Sequence, residues 1–276
     1  MTIQPPATIL MAPTGAGKTH ALSTYITDCD LDLFLICTEP TGLDTIIDAV
    51  PKNKLHKLHY VQINPARSSF DSLLAQAQIV SRADYEYLTK QRPTPGRENS
   101  QYISLLKTLV DFKDQHGQSF GPVSKFGPTR ALALDSFSGV SLMAWDLTIG
   151  DKATAHQGEW GVAMGTLEKL VLNLTSNLQC FFTLTAHITP ERDEVTGSMK
   201  LMVSTLGTKL SPKIPRFFSE VIMPYREGSA YFWNTAAPNV DLKHRALPVS
   251  AKLAPSFKPI VDAYNARMTK MAAPAA

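Results

Sequence analysis

The sequence predicts a three-layer α/β fold with a mostly parallel central sheet and late antiparallel strands. Three observations carry that expectation. Short apolar runs alternate with longer helical segments along most of the 276 residues, the pattern of strands joined by crossover helices. The first run, Ala7–Met11, feeds a turn containing Pro13, Gly15 and Gly17 and then a helical stretch. Late in the chain, Val221–Pro224 and Ala230–Trp233 flank Glu227-Gly228, which reads as a hairpin.

Each element follows from its own pattern. Ala7–Met11 is short, apolar and bounded by a turn, so it is a buried strand. A helix is expected from Gly17 or Lys18 to about Thr27, and Leu33–Cys37 and Leu58–Ile63 are the second and third strands. Segments near 68–82 and 101–115 read as helices, with Leu105, Leu106, Leu109 and Phe112 spaced for one face. Between them, Arg92-Pro93-Thr94-Pro95-Gly96 is a loop. Ala131–Leu134 is a strand ending at Asp135, and a helix from about Trp160 to Asn177 leads into the strand Cys180–Thr185. Beyond Ala236, prolines at 238, 248, 255 and 259 interrupt regular structure. The expected organisation is one α/β domain over 1–235 and an extended, partly disordered tail over 236–276. A short helix near Ile260–Met268 and a frayed end at Met271–Ala276 are expected within that tail.

Composition narrows the class. A hydrophobic fraction of 44% and a charged fraction of 18% are those of a soluble globular protein with a sizeable core. No apolar run approaches the roughly 20 residues of a membrane helix, and no basic segment followed by an apolar one opens the chain. The cytoplasm is the expected location. Cys29, Cys37 and Cys180 show no CxxC spacing, which fits buried thiols rather than a disulfide framework or a zinc site. The net charge of +3 does not by itself argue for nucleic acid. Its distribution is uneven, with 11 Lys+Arg against 4 Asp+Glu in residues 200–276 and 16 against 20 in the rest. A basic C-terminal quarter can meet phosphates or simply be solvated.

The chemistry starts at Ala12-Pro13-Thr14-Gly15-Ala16-Gly17-Lys18-Thr19, a G-x-x-x-x-G-K-[ST] motif with Ala12 in place of the first glycine. Such a turn points successive backbone N–H groups at phosphates, and the lysine adds positive charge. Gly15 and Gly17 permit the tight backbone, Lys18 would reach the β- and γ-phosphates, and the Thr19 hydroxyl would ligate magnesium. Thr14, Ala16 and His20 complete the expected nucleotide-contacting run. Ala12 is tolerable if its position needs no positive φ. ATP and Mg2+ are therefore the expected ligands. The absence of an Asn-Lys-x-Asp element argues against a guanine-specific enzyme.

Three strand ends supply candidate partners. Asp135, closing Ala131-Leu132-Ala133-Leu134, can hold magnesium beside the phosphates, although strand-ending aspartates also cap helices. Glu39, just after the second strand, can orient or deprotonate the attacking water, or be an ordinary loop glutamate. His187, after Thr183-Leu184-Thr185-Ala186, can touch the γ-phosphate and report its loss to the following loop.

In this order the pieces resemble the RecA-like ATPase core over about residues 5–234. Thr38-Glu39-Pro40-Thr41-Gly42-Leu43-Asp44 resembles the segment carrying the family's catalytic glutamate, with Glu39 and Asp44 at matching spacing. Leu134-Asp135-Ser136 is similar to its Walker B aspartate–serine pair, and His187 stands where RecA has a glutamine sensor. The resemblance implies a homo-oligomer with ATP at subunit interfaces and Lys209 or Lys213 as trans-acting fingers. It also implies single-stranded DNA facing loops at about Gly139–Gly158 and Thr189–Leu206. Arg192 and Lys200 in the second loop are offset by Glu191, Asp193 and Glu194, so Trp145 and Trp160 beside the first are the better stacking candidates. With the phosphate loop so near the N-terminus, the chain is similar to the short RecA-related ATPases of bacteriophages associated with single-strand annealing and recombination. The host cytoplasm would then be its location. Two alternatives stand beside this: a nucleotide-dependent DNA-binding scaffold with negligible turnover, and a P-loop motor or packaging ATPase acting on duplex DNA or protein.

Overall fold

A computed structural model of the chain describes residues 3–39, 42–63, 70, 71, 74, 77, 78, 81, 100–150, 152, 154–192 and 197–272. Seven strands form one sheet: β1 (Ala7–Met11), β2 (Asp32–Cys37), β3 (Leu58–Gln62), β4 (Arg130–Asp135), β5 (Phe181–Ala186), β8 (Glu220–Glu227) and β9 (Ala230–Asn234). Their order is β3-β2-β4-β5-β1-β8-β9. The first six in that order are parallel, and β9 returns antiparallel to β8. The three-layer α/β class with late antiparallel pairing is therefore the observed fold.

Side-chain alternation explains the layers. In β2, Phe34 and Ile36 face one side of the sheet, whereas Leu33, Leu35 and Cys37 face the other. The first side is covered by α4 (Ser100–Val110), α5 (Phe137–Ile149) and α6 (Gln157–Ser176) through Leu105, Val140, Met143, Leu167 and Val171. The second is covered by α1 (Lys18–Leu22), α2 (Thr24–Thr27), α3 (Gly42–Ala49) and α7 (Lys258–Ala272) through Leu22, Tyr25, Ile46, Ile260 and Tyr264. Each fully buried Leu, Ile or Phe contributes about 1.5–3 kcal/mol relative to exposure.

Several elements differ from expectation. The helix expected over Lys18–Thr27 is broken at Ser23, whose Oγ donates to the His20 carbonyl at 2.7 Å. The helix expected over 101–115 ends at Val110; the chain then doubles back through a bridge between Lys113 and Ser119. The region Gly139–Gly158, expected as a loop, is helical as far as Ile149 and again from Gln157. Phe137, Val140, Met143, Ala144 and Ile149 are all buried in α5, so no clean polar face marked it as a helix. The expected loop Thr189–Leu206 contains a hairpin, β6 (Ile188–Arg192) with β7 (Met199–Val203). The helix expected near 68–82 falls largely outside the described residues, as do the Arg92–Gly96 loop and the last four residues of the frayed end.

The segment after Ala236 is held more closely than an extended tail. Bridges join Val240 to Leu201, Lys243 to Val221 and Leu253 to Trp233. Phe257 then stacks on Tyr25 with ring centroids 4.0 Å apart, and its N–H donates to Thr24 Oγ1 at 3.1 Å. The prolines break regular structure there, but buried apolar anchors fix the path. The expected helix is present as the longer α7.

Candidate active site

Side chains from four strand ends meet at the carboxyl-terminal edge of the sheet, where open α/β sheets bind ligands. The loop after β1 carries Lys18 and Thr19, and β2, β4 and β5 deliver Glu39, Asp135 and His187. Strand β5 lies between β1 and β4.

In the glycine-rich loop after β1, Gly15 and Gly17 adopt φ of 76° and 83°. A Cβ on Gly17 would also lie 2.6 Å from the Tyr231 ring. Asp30 is the one non-glycine residue with positive φ among the described residues, so Ala12 is unstrained in the position of the first glycine. It is fully buried, and its N–H donates to the Ala186 carbonyl at 3.1 Å. Lys18 folds back over its own loop: Nζ donates to the carbonyls of Ala12 and Pro13, each at 2.9 Å, and lies 3.5 Å from His187 Nδ1. Burial lowers the Lys18 pKa, against the opposing pull of Asp135 and Glu39.

Asp135 is buried at the end of β4. Thr19 Oγ1 donates to its Oδ2 at 2.7 Å, and Thr185 Oγ1 donates to its Oδ1. Burial raises the Asp135 pKa; the two hydroxyl bonds and Lys18 oppose this, whereas Glu39 adds to it. A buried carboxylate beside a threonine hydroxyl is a donor set of oxygens, the kind that fits magnesium. That ion is commonly held by one or two protein groups plus substrate phosphates.

Glu39 accepts a short hydrogen bond from Ser136 Oγ on Oε1, and His187 Nε2 lies 3.3 Å from the same oxygen. Its side chain is 38% exposed, open enough for water to reach it. The ends of β2 and β4 are clamped together. Thr38 N–H donates to the Asp135 carbonyl at 2.6 Å, Ser136 N–H donates to Thr38 Oγ1 at 2.9 Å, and Thr38 Oγ1 donates to the Ser136 carbonyl at 2.8 Å. Gly139 makes this fit possible, since a Cβ there would sit 2.3 Å from Thr38 Oγ1.

The other predicted residues are placed differently. Thr14 and Gly15 are exposed at the loop tip, and Ala16 is buried beneath it. His20 stacks on Tyr231, ring centroids 5.7 Å apart. Asp44 is exposed in the first turn of α3. Lys213 pairs with Glu168 at 3.1 Å, whereas Lys209 is exposed and makes no ion pair among the described residues. Trp145 and Trp160 pack on one another with centroids 4.1 Å apart. Lys200 of β7 pairs with Asp241 at 2.7 Å, Arg192 is exposed, and Asp193 and Glu194 lie outside the described residues. Sequence reasoning did not single out Thr38, Thr185 or Gly139. The available signal was polar residues ending otherwise apolar strands, Leu-Ile-Cys-Thr and Phe-Thr-Leu-Thr.

No protein-family model matches the chain, and comparison with curated proteins returns no match. Among solved structures, similarity is found to a prototypical ATPase from the type III secretion system of pathogenic bacteria. That match has a TM-score of 0.42 and 13% identity, over 81% of this chain and 53% of the other. The assembled ATPase EscN from the enteropathogenic E. coli type III secretion system gives a TM-score of 0.41 and 15% identity, over 80% and 43%. EscN in complex with its central stalk EscO gives 0.41 and 12%, over 80% and 42%. The chain thus spans about half the length, or less, of these proteins.

Proposed function

We propose that the chain is a RecA-like, magnesium-dependent ATPase. The observation carrying this reading is the convergence of Lys18, Thr19, Asp135, Glu39 and His187 from separate strand ends onto one edge of the sheet. The backbone N–H groups from Thr14 to His20 bind the phosphates. Lys18 leaves the Ala12 and Pro13 carbonyls to meet the β- and γ-phosphates. Thr19 and Asp135 hold magnesium, whose chemistry when bound is to neutralise phosphate charge. Glu39 takes a proton from the attacking water. His187 contacts the γ-phosphate, and the β6–β7 hairpin that starts one residue later carries the change outward. The bond from Ser204 N–H to the His187 carbonyl, 2.8 Å, supports that coupling by tying the far end of the hairpin to the same residue.

We further propose that the partner reached through this hairpin is single-stranded DNA, as the RecA resemblance implies, and that subunits share ATP at their interfaces. Lys209, exposed and without an ion pair among the described residues, suits a trans-acting finger better than Lys213. The test is ATP hydrolysis titrated with single-stranded DNA, duplex DNA and neither, at several salt concentrations. Stimulation by single strands supports the full reading. Stimulation by duplex alone favours a motor, and binding without turnover favours a scaffold. Undiminished hydrolysis by Lys18→Ala overturns the site.

A further inference from the structure

Ser136 opens α5 in the N-cap position, where a serine hydroxyl ordinarily accepts a hydrogen bond from a backbone N–H of the first turn. Here it makes no such bond. The hydroxyl instead crosses to the neighbouring strand end and donates to Glu39 Oε1. The hydroxyl is thereby committed to the carboxylate of another strand end and not to its own helix.

The surroundings leave that hydroxyl little freedom. Ser136 is 1% exposed, and its backbone is held on both sides by Thr38 Oγ1. Thr38 immediately precedes Glu39, so one clamp fixes both the donor and the chain carrying the acceptor. His187 Nε2 approaches the same oxygen at 3.3 Å. Both contacts fall on Oε1, and among the described residues Oε2 accepts no hydrogen bond. The carboxylate is thus tethered by one oxygen and presents the other.

We propose that Ser136 is a positioning residue for the general base: it anchors Oε1 of Glu39 so that Oε2 faces the water that attacks the γ-phosphate. This rests on the reading of Glu39 as that base. The proton passes from water to Oε2 as the O–H bond of water breaks, the new bond to the γ-phosphorus forms, and the bond from that phosphorus to the β,γ-bridging oxygen breaks, with ADP leaving carrying the electron pair. Ser136 exchanges no proton and touches neither water nor phosphate. Its effect is on the orientation of the carboxylate, and a carboxylate free to rotate spends most of its time aimed elsewhere.

The test is a double-mutant cycle between Ser136→Ala and Glu39→Gln, read by single-turnover ATP hydrolysis and by the Kd of a fluorescent ATP analogue. Ser136→Ala is expected to slow hydrolysis about 10- to 100-fold with Kd changed less than about twofold. In the Glu39→Gln background, Ser136→Ala should have no further effect, because a residue acting through Glu39 is silent once the base is gone. Ser136→Cys, nearly isosteric but a weaker donor, should fall between serine and alanine, and it carries the same cycle if Ser136→Ala does not fold. A wild-type rate for Ser136→Ala beside an inactive Glu39→Gln overturns the proposal and leaves the base intact. Additive losses across the cycle also overturn it, since the serine would then act elsewhere. An active Glu39→Gln overturns the reading of the base itself.

Discussion

Two buried aspartates at opposite ends of the sheet are treated in opposite ways. Asp114, beneath the start of β3, accepts from the N–H groups of His116 and Gln118 on Oδ1 at 2.9 and 3.0 Å and faces His59 Nδ1 with Oδ2 at 3.2 Å. Burial pushes its pKa up, but the backbone bonds and His59 outweigh that and hold it below the ordinary value. Asp135 is met by two threonine hydroxyls, and there burial wins. Asp114 is a carboxylate whose two oxygens are both met by the protein's own donors. Around Asp135 the hydroxyl bonds do not offset burial, which disfavours the charged carboxylate. Burial alone does not decide the charge preference of a carboxylate; the donors around it do.

The largest effects expected from breaking this contrast are on turnover. Lys18→Ala should reduce steady-state hydrolysis beyond detection, and Glu39→Gln should lower kcat by about 10²- to 10⁴-fold while ATP-analogue binding persists. Asp135→Asn should cost at least about 100-fold in kcat, whereas Asp114→Ala should leave kcat near the wild-type value. Stability should move the other way. Asp114→Ala strands two backbone N–H groups and His59, lowering unfolding free energy by about 2 kcal/mol in urea denaturation. Asp135→Asn removes a buried charge and should raise the Tm of the nucleotide-free protein by about 2–4 °C.

The pH dependence sharpens the same comparison. The depressed pKa of Asp114 gives stability that is present above the unfolded aspartate value of about 3.9 and lost as pH falls through the lower folded value. Asp114→Asn should therefore flatten the acid limb of a Tm–pH profile. The raised pKa of Asp135 has the opposite sign: its contribution is present below the unfolded value and lost as pH rises through the folded one. The advantage of Asp135→Asn should accordingly vanish in acid and grow towards neutrality. The smallest effect is a ligand shift. Magnesium with a non-hydrolysable ATP analogue should raise the Tm of the wild-type protein more than magnesium-free analogue does, and Asp135→Asn should erase that difference.

Much of the site is legible residue by residue. Lys18, Thr19 and Asp135 each sit in a local pattern, an apolar strand followed by a residue of distinctive chemistry. Such patterns survive in a single sequence because strand burial and strand termination are local properties. Thr38, Thr185 and Gly139 are of ordinary type in ordinary spacing, and Ser136 is marked only by its place after Asp135. Their roles exist only through neighbours roughly 50 to 100 positions away, as in the Thr38–Ser136 clamp and the Thr185–Asp135 bond.

By itself the sequence determined the alternation of strands and helices, the glycine-rich turn after the first strand and the carboxylates that follow two others, because periodicity, glycine conformation and side-chain chemistry act over a few residues. Only the tertiary structure decided that β5 runs between β1 and β4, that α5 occupies much of the segment expected as a loop, and that residues 237–272 strap back onto the core through Phe257 and Tyr264. Those outcomes depend on burying apolar surface between segments far apart in the chain, a free energy that belongs to the assembled fold and to no local stretch of it.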